Sequence, residues 1–269
     1  MSLTLTLHTA PEVPVEAEAL GADTLAGLSE KDVAALPLLH GNRKAQVGDF
    51  FRVSGRANGE VRLQGDLGRV KMLGAGMKGG RLIVEGDAGA HLGAGMLGGE
   101  IVVEGDAGDW VGLEMQGGRI VVKGSAGHMV GSSHRGSRVG MLDGEIIVHG
   151  NVGNELGNTM RNGLIAVGGN SGDFTGVNML AGTIVVLGRL GARTGASMKR
   201  GSIVSMHDAE LLPTFTYACT YRPAFLRLYL TRLKGLGLRI EDAQVTGKYR
   251  RFSGDAVELN RGETLLFAG

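Results

Sequence analysis

The residues best suited to chemistry in this chain are few and scattered. Ser132, Ser133 and His134 set two hydroxyls beside an imidazole. A nucleophile and its base also need an orienting third group and an oxyanion hole, and neither can be pointed to in the sequence. The remaining histidines, His8, His40, His91, His128, His149 and His207, lack zinc-site spacing, and no carboxylate recurs beside them. Glycine clusters at 74–80 and 93–99 echo a dinucleotide fingerprint, but that motif needs a strand before it, a helix after it and one copy per site. Here the cluster recurs and no helix follows, so no catalytic, metal or nucleotide site is assigned. Two groups of cations remain. Arg135 and Arg138 stand with His134 and three serines in the segment 132–140, and Lys248, Arg250 and Arg251 stand in the tail. Each group would suit an anionic ligand or an acidic partner surface, with ordinary solvation as the alternative.

These residues hang on a repeat. The pattern G-x-x-M-x-x-G-x-(I/L)-x-V-x-G opens at Gly74, Gly93, Gly112, Arg138, Gly157 and Gly176, and in degraded form at Gly195. With Gly65 of an earlier degraded copy, its closing glycines fall at 65, 86, 105, 124, 150, 169 and 188, in steps of 21, 19, 19, 26, 19 and 19. A unit this short cannot bury an apolar side alone, so copies must stack. Each holds a short run rich in β-branched residues between glycines, which predicts a strand. The expected fold is all-β: a right-handed parallel β-helix of about seven coils, with neighbouring strands about 4.8 Å apart. The longest insertion, 132–140, is expected to project as a loop.

Columns follow from the alternation along each strand. Val61, Leu82, Ile101, Ile120, Ile146, Ile165, Ile184 and Ile203 form one inner column, and Leu63, Val84, Val103, Val122, Val148, Val167 and Val186 a second. Leu73, Leu92, Val111, Val130 and Leu156 form a third, and Met77 to Met198 a fourth. Glu60, Arg81, Glu100, Arg119 and Glu145 alternate in sign along an outer column, which favours this register. A further outward column, Ile83, Val102, Val121, Ile147, Ala166, Val185 and Val204, is an apolar stripe that a monomer would rarely leave bare. Either the chain's own termini cover it or, as the sharper expectation, a partner subunit docks at Ile83, Val102, Val121, Ile147, Val185 and Val204.

The chain has 269 residues and a formal net charge of +1, which argues against a nucleic-acid footprint. One cysteine, Cys219, excludes a disulfide framework. No signal peptide is recognised at residues 1–7 and no apolar run would span a bilayer, so a cytoplasmic, membrane-free setting is expected. Residues 1–49 read as an N-terminal cap, with an edge-like strand at 3–7 and a short helix from Ser29; 50–207 read as the β-helix and 208–269 as a C-terminal cap and tail. In that tail 224–233 reads as a helix packed on the last coil, followed by two short strands.

The repeat, together with the spacing G-x-x-G-x-x-x-G of Gly86, Gly89 and Gly93, resembles that of the C-type subunit of formylmethanofuran dehydrogenases and of the bacterial formyltransferase/hydrolase complex. The likeness extends over about 50–207, and the segments at 254–255 and 262–265 are also similar. Arg138 replaces the opening glycine of its copy, and Ser205 and His207 depart from the pattern in the last. The same fold occurs as a structural module of the large subunit of glutamate synthase; the expectation that no amidotransferase or flavin domain is attached is all that separates this sequence from that alternative.

The resemblance implies a noncatalytic scaffold in a complex with amidohydrolase-like, molybdopterin-enzyme-like and formyltransferase subunits. There a formyl group passes from formyl-tetrahydromethanopterin to a furan coenzyme, methanofuran or methylofuran, and leaves as formate. It implies no cofactor bound solely by this chain, with any metal in another subunit. Since family furan coenzymes carry glutamate tails, it also implies contacts to that tail from Arg135 and Arg138, or from Lys248, Arg250 and Arg251. The alternatives are the tungsten or molybdenum dehydrogenase version and a structural β-helix module like that of glutamate synthase; between hydrolase and dehydrogenase, an Arg- and Ala-rich composition inclines the reading to the hydrolase.

Overall fold

A computed structural model describes residues 2–56 and 58–269. In chain order the elements are β1 (Leu3–Leu7), β2 (Val15–Glu16), α1 (Glu30–Ala34), β3 (Pro37–His40), β4 (Arg43–Gln46), α2 (Val47–Phe50), β5 (Phe51–Ser54), β6 (Glu60–Gln64) and β7 (Val70–Lys71). The repeats supply β8 (Arg81–Glu85), β9 (Glu100–Val103), β10 (Arg119–Val122), β11 (Glu145–Val148), β12 (Leu164–Val167), β13 (Thr183–Val186) and β14 (Arg200–Ser205). The C-terminal segment adds β15 (Thr216–Tyr221), α3 (Ala224–Gly235), α4 (Asp242–Thr246), β16 (Tyr249–Gly254) and β17 (Arg261–Phe267). The protein is mostly β, organised round one large, mostly parallel sheet of 13 strands in the order β15-β16-β17-β14-β13-β12-β11-β10-β9-β8-β6-β1-β5.

Equivalent repeat positions pair across the sheet: Ile101 with Ile120, Ile120 with Ile146, Ile146 with Ile165. A second parallel ladder of single bridges links Leu67, Ala88, Ala107, Ala126, Val152 and Ser171, one step per repeat. Between these ladders the expected inner columns meet. The Ile, Val and Met columns from β8 to β13 are essentially solvent-free, and the third column continues through two buried threonines, Thr175 and Thr194. Their hydroxyls bond back to the Gly172 and Gly191 carbonyls at 3.2 and 3.0 Å, so a polar group is tolerated inside.

Two glycine positions explain the punctuation of the repeat. Gly74 has φ +66°, and a Cβ there would lie 2.6 Å from Cδ1 of Ile101 in the next repeat. At Gly108 the obstacle is backbone, since a Cβ would stand 2.8 Å from the Ala90 nitrogen. Polar side chains fasten one repeat to the next. Asp87 Oδ1 accepts from the Asp106 N–H at 2.8 Å, Asp106 Oδ1 from Ser125 at 2.7 Å, and Asn151 Oδ1 from Asn170 at 2.8 Å. The charged column pairs as its register requires, Arg81 with Glu60 and Glu100, and Arg119 with Glu100 and Glu145.

The stack ends by substitution. In inner repeats the Gly95 and Asn178 N–H groups donate to Leu113 and Ala196 carbonyls of the following repeat, at 2.7 and 2.9 Å. Ser197, in the last repeat, has no successor, and its N–H donates instead to Asp255 Oδ2 at 2.9 Å. Likewise the place above Gly195 that an isoleucine fills elsewhere is taken by the ring of Phe215. At the other end β1 pairs parallel with β6 and antiparallel with β5, so it is an inner strand and not the edge strand its alternation implied, because β5 folds back along it. Helix α1 begins at the expected cap, Ser29, which exchanges hydrogen bonds with Asp32.

Candidate functional site

The apolar stripe is the first candidate surface, and helix α3 occupies most of it. Leu226, Leu230 and Leu233 recur at helical spacing and pack with Leu238, Ile240, Tyr249 and Leu265 over Val121, Ile147, Ala166, Val185 and Val204. Burying each such side chain stabilises by about 1.5–3 kcal/mol. Ile147, Val185 and Val204 are fully buried within the chain. A partner contact expected there is therefore corrected: the chain's own helix holds the position, lying across the flank of the stack instead of on its last repeat. Arg232 pins the far end of α3 to Glu145 at 2.9 Å. The Tyr249 hydroxyl donates to the Gln244 carbonyl at 2.6 Å, and burial pushes its phenol pKa strongly upward.

Ile83 and Val102 lie outside that cluster, at 6% and 7% exposure. They sit among ion-paired long side chains, where Arg62 bridges Glu60 and Glu85, and Arg81 bridges Glu60 and Glu100. Val121, at 8% exposure, marks where the helical cover begins.

The cations are the second candidate. In the segment 132–140, Ser132 and Ser133 are buried whereas His134, Arg135 and Arg138 are exposed; Ser133 and His134 border one hollow, but the Ser133 hydroxyl donates to the Ser137 carbonyl at 3.3 Å. Arg138 lines a hollow of about 580 Å³ with Arg161 and Lys199, and Arg135 lines a neighbouring one with His134 and Glu155; Ser137, Thr159 and Asn178 border both. The tail cations behave differently. Arg250 is ion-paired with Asp208, and Arg251 with Glu263 at 2.8 Å, so both charges are already met within the chain, leaving the exposed Lys248. Among the described residues no group of three or more His, Cys, Asp or Glu side chains converges, and no helix is long and apolar enough to cross a membrane.

One column escaped the sequence reading. Met72, His91, Trp110, Met129, Glu155, Phe174 and Arg193 all adopt positive φ at the same corner of successive repeats. His91 stacks on Trp110 with ring centroids 5.0 Å apart, and Arg193 lies 5.3 Å from the centre of the Phe174 ring. Burial, with the nearby charges of Lys71 and His134, lowers the His91 pKa. Aligning the repeats on Leu73 and Leu92 would have exposed this ladder, since each member precedes that column by one residue.

A stack of glycine-punctuated repeats paired in parallel defines the class of GXGXG-motif proteins, and the family model of that description matches residues 82–215. Over 99% of its length the chain superposes on 100% of a chain in the formyltransferase/hydrolase complex (FhcABCD) from Methylorubrum extorquens, solved in complex with methylofuran, with a TM-score of 0.92 and 34% identity. The C-type subunit of molybdenum-containing formylmethanofuran dehydrogenase 1 of Methanothermobacter thermautotrophicus is 40% identical over 83 residues, 30% of this chain and 21% of the relative. Its counterpart in tungsten-containing formylmethanofuran dehydrogenase 2 of Methanothermobacter wolfeii is 41% identical over 93 residues, 33% of this chain and 34% of the relative. The aligned stretch thus spans a fifth to a third of these curated relatives. The chain belongs to the family formed by the C-type subunit of formylmethanofuran dehydrogenases and its counterpart in the formyltransferase/hydrolase complex.

Proposed function

We propose that this chain is a noncatalytic scaffold subunit of a cytoplasmic formyltransferase/hydrolase complex in one-carbon metabolism. Its partners are amidohydrolase-like, molybdopterin-enzyme-like and formyltransferase subunits, and the complex moves a formyl group from formyl-tetrahydromethanopterin through a furan coenzyme to formate. The observation that carries this reading is the likeness along the whole length, at 34% identity, to a chain of such a complex. In this reading the repeats wind as a right-handed β-helix of about seven coils across 50–207, capped by 1–49 and 208–269. The parallel register and the second ladder of bridges support that winding. Arg135 and Arg138, exposed beside the hollows of the 132–140 loop, and the exposed Lys248 are the contacts to the coenzyme's glutamate tail that this reading retains; Arg250 and Arg251 are engaged by carboxylates of the chain itself.

The second reading, the equivalent subunit of a metal-containing formylmethanofuran dehydrogenase, is favoured by the names of the curated relatives. Purifying the assembly through a tag on this chain and analysing its metals separates the two. The hydrolase reading expects formate release without a redox cofactor and no stoichiometric tungsten, molybdenum or iron–sulfur iron. Stoichiometric tungsten or molybdenum with iron would overturn it in favour of the dehydrogenase.

A further inference from the structure

Helix α3 covers the stripe with one side and carries apolar residues on another. Phe225, Leu228 and Tyr229 are 36%, 76% and 36% exposed. The strand that leads into the helix, β15, is the terminal strand of the 13-stranded sheet. It is exposed from Thr216 to Thr220, with Tyr217 at 58%. Among the described residues, one row of its backbone donors and acceptors therefore faces no neighbouring strand, an arrangement proteins usually shield. At the junction of β15 and α3 lies a hollow of about 480 Å³, floored by Leu226, Val245 and Tyr249 and flanked by Arg222 and Arg227. Among the described residues no carboxylate lines it. The ion pairs of this segment use Arg232, Lys234, Arg250 and Arg251 instead.

We infer that the outer face of α3 and the open edge of β15 dock another subunit through an acidic segment with an apolar anchor. Its carboxylates meet Arg222 and Arg227, and its apolar side chains rest on Phe225, Leu228 and Tyr229. This names a surface for the assembly proposed above and rests on that reading. Charge selects the occupant. A second copy docked through the same patch would bring one positive surface against another, since among the described residues no carboxylate lines the hollow, whereas an acidic partner neutralises both arginines.

The test places a photoreactive phenylalanine analogue at Leu228, and as a control at the exposed Val13, in the full complex purified through a tag on this chain. The expected result is a cross-link from position 228, and none from 13, to an Asp- or Glu-bearing peptide of a different subunit. Combining Arg222→Glu with Arg227→Glu then lowers recovery of that subunit by about tenfold or more while circular dichroism of the chain is unchanged. An intact complex in which position 228 cross-links to nothing, to a second copy of this chain or to a segment without acidic residues overturns the inference and leaves the subunit reading standing. A wild-type chain that retrieves no partner overturns both.

Discussion

The outward column of the repeat is dried in two different ways along its length. From β11 to β14 a helix lies on it, and Ile147, Ala166, Val185 and Val204 are sealed by leucines from the same chain. At β8 and β9 the helix does not reach, and Ile83 and Val102 sit in a trough beside the ion pairs of Arg62 with Glu85 and of Arg81 with Glu100. Alternation along a strand therefore identifies a side chain that leaves water without identifying what covers it. The first region depends on a tertiary contact, the second on surface side chains that can rearrange.

Substitution at the two regions breaks this comparison most directly. Leu230→Asp places an unpaired carboxylate in the seam between α3 and the stripe, where Leu230 is fully buried. A loss of about 4 kcal/mol or more is expected from the lost packing and the uncompensated charge, a large share of the roughly 5–15 kcal/mol that holds a domain together. Val102→Lys should cost about 1 kcal/mol, because a lysine stem can lie along the trough with its ammonium in water. Denaturant unfolding of both variants measures the gap. Equal losses would mean that the two regions are buried alike.

How much of this was legible depended on whether a signal was local or repeated. The inner columns, the alternating charges of Glu60 to Glu145 and the projecting segment 132–140 all follow from one period, so sequence alone located them. The destination of α3 did not follow. Leu226, Leu230 and Leu233 announce an amphipathic helix, but nothing in their spacing says whether it lies on the last repeat or across the flank. β1 read as an edge strand because its pairing with β5 joins residues far apart in the chain. The ladder of Met72, His91 and Trp110 was hidden because positive φ is read from glycine, and these residues are not glycine. For the candidate site, the positions of the cations were legible, but the acidic partners that neutralise Arg250 and Arg251 come from elsewhere in the fold.

The end of the stack sharpens the same contrast between a repeated neighbour and a supplied one. Asp255, 2% exposed, stands in for the absent next repeat by accepting the N–H of Ser197. Burial pushes its carboxyl pKa up, but the N–H groups of Ser197 and Val257, which donate to it at 2.9 and 3.1 Å, together with the neighbouring Thr214 outweigh it and hold the carboxyl below the ordinary aspartate value. A carboxylate depressed in the folded state contributes stability that is complete above the unfolded pKa near 3.9 and fades as pH falls through the folded value. Asp255→Asn should therefore cost about 1.5–3 kcal/mol at pH 7, the worth of hydrogen bonds to a charged group. The difference from wild type should stay level from pH 8 to about 5 and shrink below about 4. A difference that grows on acidification would show that Asp255 is held neutral.

The smallest effect probes the border between the two regions. Arg232 reaches from α3 to Glu145, whose other partner, Arg119, belongs to the charged rows that continue beyond the helix. The arginine side chain is 54% exposed and the glutamate 17%, so solvent screens much of the attraction. Arg232→Ala should lower stability by about 0.2–1 kcal/mol, and the loss should diminish in high salt because the Debye length contracts to about 3 Å at 1 M. Arg119 still satisfies Glu145 in the variant, so no buried charge is stranded and the leucine seam keeps α3 in place. A loss of several kcal/mol that salt does not relieve would show instead that this ion pair, and not apolar contact, holds the helix on the stripe.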